Sequence, residues 1–130
     1  MSIVLDTSIL IDLERKAPLT ITKLETITTL YPSPAKITVI SAFEFQLGIQ
    51  RKTPKNKDKA LSFLNNFVTL HTSDKTAAIL ANLKFKYDSQ GVVVPLADIL
   101  IAALVIENNM ILVTRDKDFE KIEELKKIIF

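Results

Sequence analysis

Cysteine is absent from this 130-residue chain, which excludes disulfides, zinc–thiolate sites and cysteine nucleophiles. Glycine occurs only as Gly48 and Gly91, so no glycine-rich phosphate loop can exist. The single histidine, His71, ends a strand-like apolar run and reads as structural, which makes serine–histidine catalysis a poor fit. No basic leader precedes the acid at position 6, so the N-terminus does not read as a signal peptide. The apolar run over 92–106 is too short to span a bilayer and carries an aspartate. These absences lead us to expect a soluble cytoplasmic protein with no membrane association.

What is present is ordinary globular composition, 48% hydrophobic and 25% charged, in a length that suits one domain over residues 1–130. A net charge of +2 does not announce a nucleic-acid binder. The basic residues are uneven, however: Arg51, Lys52, Lys55, Lys57 and Lys59 fall close together, either as a solvated loop and helix start or as a phosphate-binding patch.

In the run from Val92 to Ile106 every residue but Asp98 is apolar or proline. From Leu96 the run lacks alternation and is rich in Leu and Ala, predicting a helix that is apolar nearly all round and packs centrally. Pro95 suits its first turn. Asp98 then lies near the positive end of the helix dipole, but in surroundings that desolvate it, at a cost of several kcal/mol (about that order) unless something compensates.

Ile3–Leu5, Ile37–Ile40 and Met110–Val113 read as short buried strands, Val68–His71 as a short third strand, and Lys127–Phe130 as a fifth, edge strand. Helices are expected from Ile9 to about Lys16, from Pro18 to Tyr31, after Ser41, over Lys59–Phe67 and from Ser73 to about Ser89. Alternation of strands and helices predicts a three-layer α/β/α sandwich with a central parallel sheet of four to five strands. Three strands run into acids. Asp6 follows the first, where Asp6-Thr7-Ser8 can also cap the next helix. Glu44 follows the second, where Ser41-Ala-Phe-Glu44 also matches a capping box. Asp116 follows the fourth and can cap a short helix that carries Asp118. Asp12 and Glu14 look solvent-facing.

A parallel sheet gathers the carboxyl ends of its strands along one edge, where ligands bind in open α/β folds. Asp6, Glu44, Asp98 and Asp116 brought together there would repel one another or take up protons. A divalent cation resolves the conflict, and oxygen ligands without Cys or His favour Mg²⁺ or Mn²⁺. Thr7, Ser8 and Thr114 add hydroxyls at the same edge. This reaches a metal-dependent phosphodiesterase or phosphotransfer site without choosing RNA. A phosphoryl-accepting receiver-like domain also carries acids at strand ends, but no acceptor Asp pairs clearly with a Lys near the last strand.

Leu5-Asp-Thr-Ser8, Ser41-Ala-Phe-Glu-Phe-Gln-Leu-Gly48, Leu96-Ala-Asp-Ile-Leu-Ile-Ala-Ala103 and Val113-Thr-Arg-Asp-Lys-Asp-Phe119 together resemble the four acidic motifs of PIN domains, with VapC-type toxins nearest in likeness. The resemblance implies a Mg²⁺- or Mn²⁺-dependent endoribonuclease, usually a homodimer neutralised by a VapB-like antitoxin. It carries Asp6, Glu44, Asp98 and Asp116 into the metal site and Thr114 beside it, with Thr7, Ser8 and Asp118 as auxiliaries. The basic residues 51–59 would then contact the RNA backbone, and the amphipathic helices at 19–31 and 74–89 could supply a dimer face. A PIN nuclease of RNA processing or decay, or a non-catalytic PIN-like interaction module, are the alternatives. The chain departs from the pattern after Phe119, where only a stub remains for the last strand.

Overall fold

A computed structural model describes residues 1–130 throughout. Five short strands form one parallel sheet: β1 (Ile3–Leu5), β2 (Lys36–Thr38), β3 (Val68–Leu70), β4 (Ile111–Thr114) and β5 (Lys127–Ile129). Their order is β3-β2-β1-β4-β5. The chain builds outward from β1 on one side, then returns to place β4 on the other, with Leu5 opposite Val113. The direction of building reverses between β1 and β4, the place where open α/β sheets put their ligand sites, beyond the carboxyl ends of the strands. The C-terminal stub does form its strand, with Val113 paired to Ile128.

Alternation along the two central strands splits the core. Ile3, Leu5 and Val113 face one cluster, packed under α1 (Thr7–Glu14), α2 (Pro18–Leu30), α3 (Val39–Gly48) and α4 (Pro54–Leu64). Val4 and Leu112 face the other, under α5 (Asp74–Ser89), α6 (Leu96–Glu107) and a 3-10 turn at Lys117–Lys121. These are the three layers expected. The apolar helix is α6, whose residues Ile99 and Ile101–Val105 are buried, with Pro95 just ahead of its first turn. Gly91, at φ +69°, ends α5 in the left-handed conformation that glycine adopts without strain.

Two local readings are corrected. The second strand stops at Thr38, and α3 begins at Val39 instead of after Ser41. Thr38 Oγ1 accepts the Ser41 amide at 3.1 Å and is the real cap, so no capping box involves Glu44. Val39 and Ile40 are β-branched and continue the apolar pattern of the strand, which hid the boundary. The helix read over Lys59–Phe67 begins earlier, at Pro54, because Thr53 caps it by accepting the Asn56 amide.

Candidate functional site

Asp6 occupies the cap position of α1, yet its side chain caps nothing. Its Oδ2 accepts from Thr114 Oγ1 at 2.8 Å and from Ser8 Oγ at 3.1 Å. Thr114 is wholly buried, and its hydroxyl also accepts the Asp116 amide at 2.9 Å. Ser8 Oγ likewise accepts the Arg115 amide at 3.1 Å. The two hydroxyls therefore spend their protons on one oxygen of Asp6 and leave Oδ1 for a ligand. Pairing of β1 with β4 brings these groups together across most of the chain.

Glu44 sits in the second turn of α3, and Thr7 Oγ1 donates to its Oε1 at 2.7 Å. Asp116 Oδ1 accepts the Asp118 amide at 2.9 Å, capping the 3-10 turn as expected. Asp98 lies in the first turn of α6, 9% exposed. No hydrogen bond supports its charge. Burial first, then the negative charges of Asp116, Asp6, Asp118 and Glu44, push its carboxyl up to about 7.

Asp98, Asp116 and Asp118 each bring a carboxylate oxygen within 4.8 Å of the other two, close enough to hold one cation. Asp118, read as an auxiliary, stands inside this trio, with Lys121 at 3.3 Å on its outer side. Asp6 and Glu44 are outside the trio but close enough to bear on Asp98. The donor set is all oxygen and excess negative charge, which suits a hard divalent ion. Arg51, Lys52, Lys55, Lys57 and Lys59 do not join the acids. They lie on the surface from the end of α3 into α4, and Lys52 alone lines a groove that reaches Glu44.

Asp12 does not face solvent as expected. It pairs with Arg115, Nε to Oδ2 at 2.7 Å and Nη2 to Oδ1 at 3.1 Å, and accepts from Thr20 Oγ1 at 2.6 Å. Glu14 is half-buried, 3.5 Å from Lys52. The Asp12–Arg115 fork fixes the loop between Thr114 and Asp116, a role that only its position one turn beyond Ser8 hints at in the sequence.

A family profile described as PIN domain matches residues 3–125. No curated protein matches the chain. Among solved structures, VapBC2 from Rickettsia felis, bound to a promoter DNA fragment, includes a similar chain with 26% identity and a TM-score of 0.86, covering 100% of this chain and 99% of that one. DNA-bound VapBC from Salmonella typhimurium gives 19% identity and a TM-score of 0.85, over 99% and 98% of the two chains. VapBC-5 from Mycobacterium tuberculosis gives 24% and 0.74, over 100% of both. The last two likenesses are of fold.

Proposed function

The chain belongs to the PIN domain family, and from that premise we propose that it is a metal-dependent endoribonuclease, the toxin of a VapBC-type toxin–antitoxin pair. The observation that carries the reading is Asp98: a buried carboxylate without a hydrogen bond, set among four other acids, is an expensive arrangement that a bound cation relieves at neutral pH. A scaffold has no use for it. Strands from both ends of the chain share the sheet, which supports 1–130 as one domain. No helix is long and apolar enough to cross a membrane, and we place the protein in the cytoplasm with its RNA substrate.

Asp98, Asp116 and Asp118 would hold Mg²⁺ or Mn²⁺, with Asp6 and Glu44 completing its surroundings. When bound, such an ion activates water and offsets charge on the phosphate oxygens. The residues themselves do the positioning. Thr114 and Ser8 fix the orientation of Asp6, so its free Oδ1 points to one place without reorganising. Thr7 does the same for Glu44. Asp98 sits at a helix N-terminus, where the dipole favours its ionised form once the neighbouring acids are neutralised.

Structural likeness to a VapBC complex at 26% identity supports a VapB-like antitoxin as the partner. For the homodimer, the face between α3 and α6 is a better surface than α2 or α5. It carries an open apolar groove of about 420 Å³ lined by Val39, Phe43, Leu96 and Leu100, and a second of about 410 Å³ that extends past Leu47. Neither is lined by a charge, so a two-fold axis through the face would set no like charges against each other. Leu19 of α2 and Phe85 of α5 are exposed apolar residues that line neither groove.

The test is cleavage of a mixed tRNA and ribosomal RNA pool with Mg²⁺, with Mn²⁺ and with EDTA, beside Asp98→Asn. Metal-dependent cuts that vanish in the variant are expected. Absence of cuts together with absence of metal binding by calorimetry would leave an interaction module instead.

A further inference from the structure

A groove of about 110 Å³ between α1 and α3 is lined by Glu44, Arg15 and Lys52 among others. Gly48 lies in its wall. This glycine is the last residue of α3; its φ is not positive, and a Cβ built on it meets no atom within 4 Å. Neither backbone geometry nor packing asks for glycine there, and alanine would favour the helix. What glycine supplies is bare backbone beside open space.

Two cations, Arg15 and Lys52, line the groove together with Glu14. Arg15 is exposed and pairs with no carboxylate, and beyond Lys52 the surface continues into the first turns of α4 with Lys55, Lys57 and Lys59. Glu14 holds Lys52 at 3.5 Å in a partly exposed pair, which a phosphate oxygen can displace at little cost. A polyanion leaving the acidic cluster thus meets a channel with clear backbone and then a run of lysines.

We propose that this groove holds the single-stranded RNA backbone next to the scissile bond, its phosphates passing Gly48 and engaged by Arg15 and Lys52. The inference rests on the nuclease reading above, names the path of the substrate, and gives the basic stretch its connection to the site.

The experiment uses the full chain with Asp98→Asn, expected to bind without cutting, and a short fluorescein-labelled single-stranded RNA of mixed sequence, titrated at several salt concentrations. Adding Gly48→Leu should weaken binding by about tenfold, the worth of one charge-assisted hydrogen bond, while Tm holds or rises. Arg15→Gln and Lys52→Gln should each flatten the log–log salt slope by about 0.7. Should Gly48→Leu lower Tm, Gly48→Ala decides: a smaller loss of affinity supports the path, and no loss overturns it. Full affinity and slope in every variant would also overturn it. So would variants that keep RNA affinity but lose binding to a partner protein, which would give the groove to that protein. If the parent protein binds no RNA and the wild type cuts none, the nuclease reading itself has failed, a separate result.

Discussion

Thr114 Oγ1 donates to Asp6 Oδ2 at 2.8 Å although 108 positions separate the two residues, and both are buried. The same hydroxyl accepts the Asp116 amide, so one side chain sets the positions of two acids. Thr114→Val keeps the shape and removes both bonds. Metal affinity or RNA cleavage should fall by about 10–100-fold, and Thr114→Ser should restore most of it. Isothermal titration with Mn²⁺ beside a cleavage assay checks this; a Val variant with wild-type affinity and rate would remove Thr114 from the site.

Asp98 gives a pH signature. Its carboxyl sits at about 7 in the folded chain against 3.8 as a free side chain, so between those values the folded state binds the extra proton. Stability of the metal-free protein should therefore fall as pH rises through that window. In Asp98→Asn this loss is absent. By thermal melts in EDTA, the variant should exceed the wild type by a few degrees at pH 8, with the gap shrinking toward pH 5. An equal gap at both pH values would mean that Asp98 ionises normally.

Divalent metal should reverse that penalty. Mg²⁺ or Mn²⁺ is expected to raise Tm at pH 8, and less so at pH 6, where protons compete for Asp98. Asp98→Asn should respond weakly at both. Calorimetric scans with and without EDTA read the effect, and a metal shift of the same size in the variant would argue against ligation by Asp98.

Ser41 Oγ is the one fully buried side-chain polar atom without a hydrogen-bond partner. An unmet hydroxyl costs about 1–3 kcal/mol, so Ser41→Ala should be neutral or raise stability by about 1 kcal/mol in urea melts. If the variant instead loses cleavage with its Tm unchanged, the hydroxyl serves the site one helical turn away at Glu44.

The uncharged face between α3 and α6 predicts its own outcome. Phe43→Glu and Leu47→Glu, both at positions that are 62% exposed, should leave the fold intact and shift the protein to a monomer by light scattering. A dimer that survives both changes must use another surface.

The sheet and the acidic residues were legible because short apolar runs end in acids, and because an apolar helix interrupted by one aspartate has few explanations. What stayed hidden depends on contacts distant in sequence. Asp12 reads as a surface charge until Thr20 and Arg115, 8 and 103 positions away, are seen to hold it. The start of α3 was masked by Val39 and Ile40, which suit a strand as well as a helix, while Thr38 supplied the cap one residue before them. Asp118 looked auxiliary because spacing cannot show that a 3-10 turn brings it back toward Asp98. The groove at Gly48 lies between two helices, and no linear pattern records a space.

Because β1 is paired on one side by β4, Asp6 waits for a strand made at the opposite end of the chain. At an elongation rate of roughly 5–20 residues per second, Thr114, Asp116 and Asp118 follow Asp6 after a delay on the order of ten seconds. A ribosome making this protein is thus attached to a fragment with no assembled acidic centre. The five carboxylates come together only once β4 and the turn after it have been made.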